Sequence, residues 1–265
     1  MSHVHKIISD NDGRTTLNSE DLDDLEFHGI YFMEHMNILV KDRQKAEEFY
    51  CDCLGFKLDP DRVNTNLSFH INLGQQQFHL VEEAAAIEAG DDFKSNKLFG
   101  NIGIVVPSLE KVCENLDKHK VCYEHLFTKS SVTDQTNDIV IYNNASGYPS
   151  IRLVCPFGNN LYVYGLKEAK SLFAATNDLK KYTNQNHQRH NNPIGIRGYM
   201  PGIRFFEFYV VNGKAKGISE FYKQFLDCVV DLRPVNVNGK ERRCAMVMAG
   251  PNIHLVFSET EETPR

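Results

Sequence analysis

EEFYCDCLGF, from Glu47 to Phe56, returns as SEFYKQFLDC from Ser219 to Cys228, and this echo decides how the chain is read. Each stretch places an acid, an aromatic pair and a leucine at the same spacing, the pattern of one helical face running to a stop. A second echo follows each of them. QQFHLVEE, Gln76 to Glu83, corresponds to PNIHLVFSE, Pro251 to Glu259, and both alternate with the period of two that marks a strand. Two related stretches recurring in the same order point to a repeated supersecondary unit.

Outward from the first echo, EHMNILV (Glu34 to Val40) reads as a strand. Asp42 caps a helix through Cys53, with Ala46, Phe49, Tyr50 and Cys53 on one side. Leu54-Gly55-Phe56 ends it, glycine tolerating the backbone angles of the stop. Leu67 to Leu73 and Gln77 to Glu82 alternate as two strands of a meander. The same order returns from Asn101 to Val106 (strand), with Pro107-Ser108 opening a helix to about Lys118. Strands are expected at Val121–Phe127, Ile139–Asn143, Ser150–Cys155 and Asn160–Tyr164. It returns a third time with a strand at Ile203–Val211, a helix at Ser219–Asp227, and strands at Arg243–Ala249 and Asn252–Phe257. The fold class is α+β, built from three βαβββ modules. Residues 1–28 read as a disordered tail, 29–165 as paired modules one and two, 166–200 as a helix (Leu166 to Tyr182) and polar linker, and 201–265 as an unpaired third module.

Composition sets the outer limits. The 265 residues carry a formal net charge of −6, which argues against a nucleic-acid binder. No apolar run reaches the roughly 18 residues of a membrane-spanning helix. The acidic, polar start is unlike a secretion signal, so a cytoplasmic protein is expected. Seven cysteines, an odd number without any C-x-x-C, read as free thiols.

His35-x-x-x-Leu39-Val40-x-Asp42, followed by Glu48-Phe49-Tyr50-x-x-x-Leu54-Gly55-Phe56, resembles the vicinal oxygen chelate superfamily of glyoxalases, bleomycin-resistance proteins and extradiol dioxygenases. Pro156-Phe157-Gly158-Asn159 adds to the resemblance, standing where those proteins usually carry D-P-x-G-N. The resemblance implies modules paired into a half-open curled sheet barrel with helices outside. It also implies metal ligands on the first and last strand of each module. His35 and His79 fall on those positions in module one, and Asn101 and Tyr162 in module two. In module three they are Phe206 and His254.

Alternation by itself places His35 and Asn37 on one strand face, Ser68, His70 and Asn72 on another, and His79 on a third. Three imidazoles on one surface can bind a divalent ion, with zinc, iron, manganese or nickel as candidates. The candidate set is then His35, His79 and Asn101 as metal ligands and Tyr162 and His70 as catalytic groups. Asn37 and Arg152 would contact the substrate. The resemblance implies metal-assisted lyase or isomerase chemistry on an oxygen-rich small molecule. A metal-free binding or sequestering protein and a non-catalytic dimeric scaffold use the same fold. The odd module is expected to recruit a second copy, giving a homodimer through module three.

Overall fold

The computed structural model describes residues 29–30, 33–60, 65, 67–73, 76–83, 98–126, 150–165, 202–237, 240–249 and 253–261, with two short pairs nearer the start. The predicted strand at Ile139–Asn143 and the helix and linker of 166–200 lie outside these residues. Of the segment expected to be a tail, Ile8–Ser9 and Thr15–Thr16 form an antiparallel pair.

Module one comprises β1 (His35–Val40), α1 (Arg43–Glu47), β2 (Lys57–Leu58), β3 (Ser68–Asn72) and β4 (Gln77–Glu82). The Asp42 carboxylate accepts from the Lys45 amide, the cap its sequence position requires. From Glu48 to Cys53 the helix widens to a π turn, with Leu54 N–H donating to the Phe49 carbonyl at 3.1 Å. Gly55, at φ 79°, ends it.

Module two comprises β5 (Gly100–Val106), α2 (Leu109–Lys118), β6 (Glu124–Leu126), β7 (Ser150–Val154) and β8 (Asn160–Gly165). Ser108 caps α2 through the Lys111 amide. Module three comprises β9 (Gly202–Val211), α3 (Ala215–Leu226), β10 (Val230–Val237), β11 (Lys240–Met248) and β12 (His254–Thr260). No side-chain cap on Lys214 opens α3. Glu259 of β12 instead receives the Ala215 amide on one oxygen and the Arg243 amide on the other, both at 3.0 Å. The sequence reading missed β10 because Pro234 interrupts it. Proline is tolerated on an edge strand, and β10 is one.

The three modules share one topology. Module one is a four-stranded sheet in the order β1-β4-β3-β2, with its first and last strands parallel. Modules two and three repeat that order as β5-β8-β7-β6 and β9-β12-β11-β10. They are fused by an antiparallel β5–β9 ladder into one eight-stranded mixed sheet. The hydrogen-bonded pairing therefore falls between modules two and three. Module one, rather than module three, is the module whose sheet stands alone.

Glycine decides this. A side chain at Gly100 would place Cβ 1.7 Å from the Glu207 carbonyl oxygen, and one at Gly103 would place it 1.8 Å from the Phe205 ring. Only a glycine-bearing strand lets β9 approach this closely. At the corresponding positions module one carries Glu34 and Asn37.

Module one meets the rest through helices and a shared core. Ile38, Phe49, Phe69, Phe78 and Leu80 belong to the same buried cluster as Ile102, Ile104, Val112, Leu116, Leu161 and Phe206. Asn115 on α2 donates to the Cys53 carbonyl at 3.4 Å, and His119 contacts Glu48 at 3.2 Å. The buried Gln76 side chain accepts the Ile203 amide at 3.1 Å, tying the β3–β4 turn to the start of β9. All seven cysteines are free thiols.

Overpacking at the ladder gives a direct test. Gly103→Ala is expected to cost about 1–3 kcal/mol in urea unfolding. In a Phe205→Ala background the same change should cost much less, because the ring it collides with is gone.

Candidate functional site

On module one, alternation sends Ile38, Phe69, Ile71, Phe78 and Leu80 into the core and leaves the opposite face partly open. That face gathers the three imidazoles that the sequence had placed on it. His70 and His79 lie opposite each other across β3 and β4, and Asn37 lies beside His79 across β1 and β4. The His70 and His79 rings stack, with centroids 4.1 Å apart and planes 5° from parallel. His35 stands edge-on to both, its centroid 6.2 Å from His70 and 5.9 Å from His79.

The ring nitrogens of His79 are occupied by neighbours. Nδ1 lies 2.9 Å from Asn37 Oδ1, and Nε2 lies 2.6 Å from Ser68 Oγ. The chemistry of these partners sets the tautomer. An amide oxygen only accepts, so Nδ1 carries the proton, and the serine hydroxyl donates to Nε2. His35 Nδ1 is held by Glu34 at 2.9 Å.

This arrangement does not fit a divalent ion. A metal bonds an imidazole nitrogen at about 2.0–2.1 Å along the lone pair, which lies in the ring plane. Parallel stacked rings aim those lone pairs into separate planes, so His70 and His79 do not converge on one point. Binding through His79 would also break a hydrogen bond it already makes. Among the described residues no group of three or more His, Cys, Asp or Glu is placed to hold a metal ion.

The remaining candidates are elsewhere. Asn101, Tyr162 and Arg152 belong to the eight-stranded sheet, not to the sheet that carries the histidines. The pairing expected to bring them together is made by module three instead. Tyr162 and Gly103 are neighbours across β8 and β5, and Phe205 and His254 continue the same row across β9 and β12. Phe205 fills the space above Gly103 and is fully buried, as is Tyr162. Arg152 lies opposite Tyr162 on one side and Glu124 on the other. Phe206 turns to the opposite face and joins the hydrophobic core.

The sequence reading overlooked Glu207. Its carboxylate is buried on the face opposite the helices, accepting from Asn101 at 2.5 Å and from Ser258 at 2.6 Å, while Asn101 also donates to the Tyr209 hydroxyl at 2.9 Å. A lone acid inside the apolar run from Ile203 to Val211 was the available signal. A buried carboxylate survives there only because these donors replace its water. His254 is buried in the next row. Desolvation, reinforced by Arg233 and Arg204, lowers its pKa to about 4. Burial likewise lowers Arg204 to about 10.

Three βαβββ modules with helices on one side of mixed, open sheets define a vicinal oxygen chelate fold. Residues 33–127 match the Glyoxalase/Bleomycin resistance protein/Dioxygenase superfamily model. A glyoxalase I variant from Zea mays superposes with a TM-score of 0.50 at 15% identity, over 85% of this chain and 67% of that one. A second glyoxalase I variant from Zea mays gives 0.50 at 16% identity, over 87% and 69%. A putative dioxygenase from Bacillus subtilis gives 0.48 at 14% identity, over 90% and 66%, so this chain spans just under two thirds of that relative's length. At these identities the likeness is one of fold. No curated protein matches the sequence.

The neutral burial of His254 makes stability depend on pH. Its native pKa of about 4 lies below the unfolded value of 6.5, so between those values the unfolded chain binds the proton that the native chain refuses. The contribution is complete at neutral pH and is lost as pH falls from about 6.5 to 4, by about 3 kcal/mol. Urea unfolding across that range should show the slope in the native chain and a flatter profile in His254→Gln.

Proposed function

We propose that this protein is a metal-independent small-molecule binding protein of the glyoxalase fold, with the histidine face of module one as its recognition surface. Among the functions compatible with the sequence, this one is carried by the bonding of His79. The ring is fixed by Ser68 and Asn37 and stacked on His70, which prepares a rigid polar surface rather than a converging ligand set. The Asn37 amide, whose oxygen is the atom that His79 engages, has N–H donors suited to the oxygens of an oxygen-rich organic acid. In the eight-stranded sheet, Phe205 occupies the corresponding central position, which supports assigning recognition to module one.

The test uses chelator-treated protein and malate, lactate and oxalate as probes in thermal unfolding. At about a hundredfold excess over Kd, at least one acid should raise Tm by about 5 °C or more without any added metal. The shift should vanish in the His70→Ala, His79→Ala double variant. If the shift appears only after micromolar zinc or nickel is restored, the chemistry is metal-assisted and this reading fails.

A further inference from the structure

The bonds that hold His79 also describe a nucleophile, its base and an orienting group. Ser68 Oγ lies 2.6 Å from His79 Nε2, and His79 Nδ1 lies 2.9 Å from Asn37 Oδ1. With the proton on Nδ1, Nε2 keeps a lone pair aimed at the serine hydroxyl, the state in which an imidazole accepts the hydroxyl proton. A hydroxyl within hydrogen-bond reach of a base that a third side chain orients is the arrangement that activates a serine. Solvent reaches all three groups, Asn37 being exposed and Ser68 and His79 half-buried.

The fold does not demand this row. In module two the places of Asn37, His79 and Ser68 are taken by Gly103, Tyr162 and Ser150, and in module three by Phe205, His254 and Met246. Those sheets form without a serine–imidazole–amide row, so strand pairing does not require one in module one. The parts are also held in place. Ser68 N–H donates to Thr65 Oγ1 at 3.0 Å, and its carbonyl accepts from the Thr65 amide at 2.8 Å. His70 stacks on the His79 ring with centroids 4.1 Å apart. A nucleophile and base fixed in this way have little freedom left to lose on reaction.

We infer that this face hydrolyses carboxylic esters through an acyl group carried on Ser68. Ser68 Oγ bonds to the ester carbonyl carbon while its proton passes to His79 Nε2. The tetrahedral adduct collapses, the bond to the leaving oxygen breaks, and that oxygen takes the proton from His79. Water then attacks the Ser68 ester and gives a proton to His79, which returns it to Oγ as the carboxylic acid departs. Asn37 is a positioning residue. Its amide oxygen holds Nδ1–H through both steps and supports the imidazolium formed in each, less strongly than a carboxylate would. The product belongs to the ligand class assigned to this face, so the substrate class, esters of oxygen-rich acids, rests on that reading. The ester chemistry itself is measured with no such acid present.

Full-length, chelator-treated protein and p-nitrophenyl acetate at neutral pH provide the test. A burst of about one equivalent of p-nitrophenolate per chain is expected, followed by slower turnover. Phenylmethylsulfonyl fluoride should block it, Ser68 Oγ displacing fluoride, and peptide mass spectrometry should find the sulfonyl group on Ser68. Ser68→Ala and His79→Ala should each abolish the burst and slow turnover by about tenfold or more. Asn37→Ala should slow acylation and Asn37→Asp should restore or exceed the wild-type rate, a recovery that a purely structural amide would not give. His125→Ala, removing an exposed imidazole on β6, should change nothing. The absence of a burst, a sulfonyl group elsewhere, turnover unchanged by Ser68→Ala, or Asn37→Asp as slow as Asn37→Ala would each overturn the inference. A thermal shift by malate, lactate or oxalate without any burst would overturn it while leaving the binding reading intact. A burst in protein whose thermal shift requires added metal would uphold the ester chemistry while the binding reading fails.

Discussion

The close approach of β9 to β5 governs the rest of the molecule. Two glycines, Gly100 and Gly103, leave room for the Glu207 carbonyl and the Phe205 ring, and the ladder that follows makes one sheet of eight strands. Once that edge is used, module one cannot take it. It is held instead by the packing of the π turn after α1 on α2, by Gln76 reaching Ile203, and by a core continuous with that of module two.

The same contact sets where polar side chains are enclosed and where they stay partly open. In the larger sheet Phe205 occupies the central position, and the polar groups around it are spent on one another: Asn101 on Glu207, Ser258 on Glu207, and His254 held neutral among arginines. Asn101, Glu207 and Ser258 are hydrogen-bonded into one network, and Asn101 and Glu207 are buried, which is how a structural network looks. In module one the face opposite the core stays partly open, and its imidazoles are ordered by Ser68, Asn37 and Glu34. Modules that share one strand order thus differ in their polar faces, module one keeping a partly open histidine face and the pair holding an internal polar network.

Much of this was readable in the letters. The echoes of EEFYCDCLGF and QQFHLVEE identified the repeated unit, and Asp42 and Ser108 marked helix starts that the structure keeps. Period-two alternation placed His35, His70 and His79 on one face, because that period is a property of any strand. Two expectations part from the structure, each for its own reason. Asn101, Tyr162 and Arg152 were joined to the histidines because neighbouring modules in sequence were paired in space, and the register of Phe206 slipped by one residue. The ladder between β5 and β9 shifts register between Ile203 and Phe205, and a one-residue displacement exchanges the two faces. Glu207 was hidden by the same slip.

Local sequence determined most of the elements, their order within each module and, on the strands of module one, the face each side chain takes, since these follow from helical and strand periods and from caps a few residues away. Tertiary structure alone decided which modules share an edge, because that depends on whether two distant strands can approach, and glycines at 100 and 103 act only when Phe205 and Glu207 arrive from the far end of the chain. It also decided that the imidazoles of His70 and His79 stack instead of converging. Ring orientation is set by partners on adjacent strands, Ser68 and Asn37, which a periodic pattern can place nearby but cannot aim.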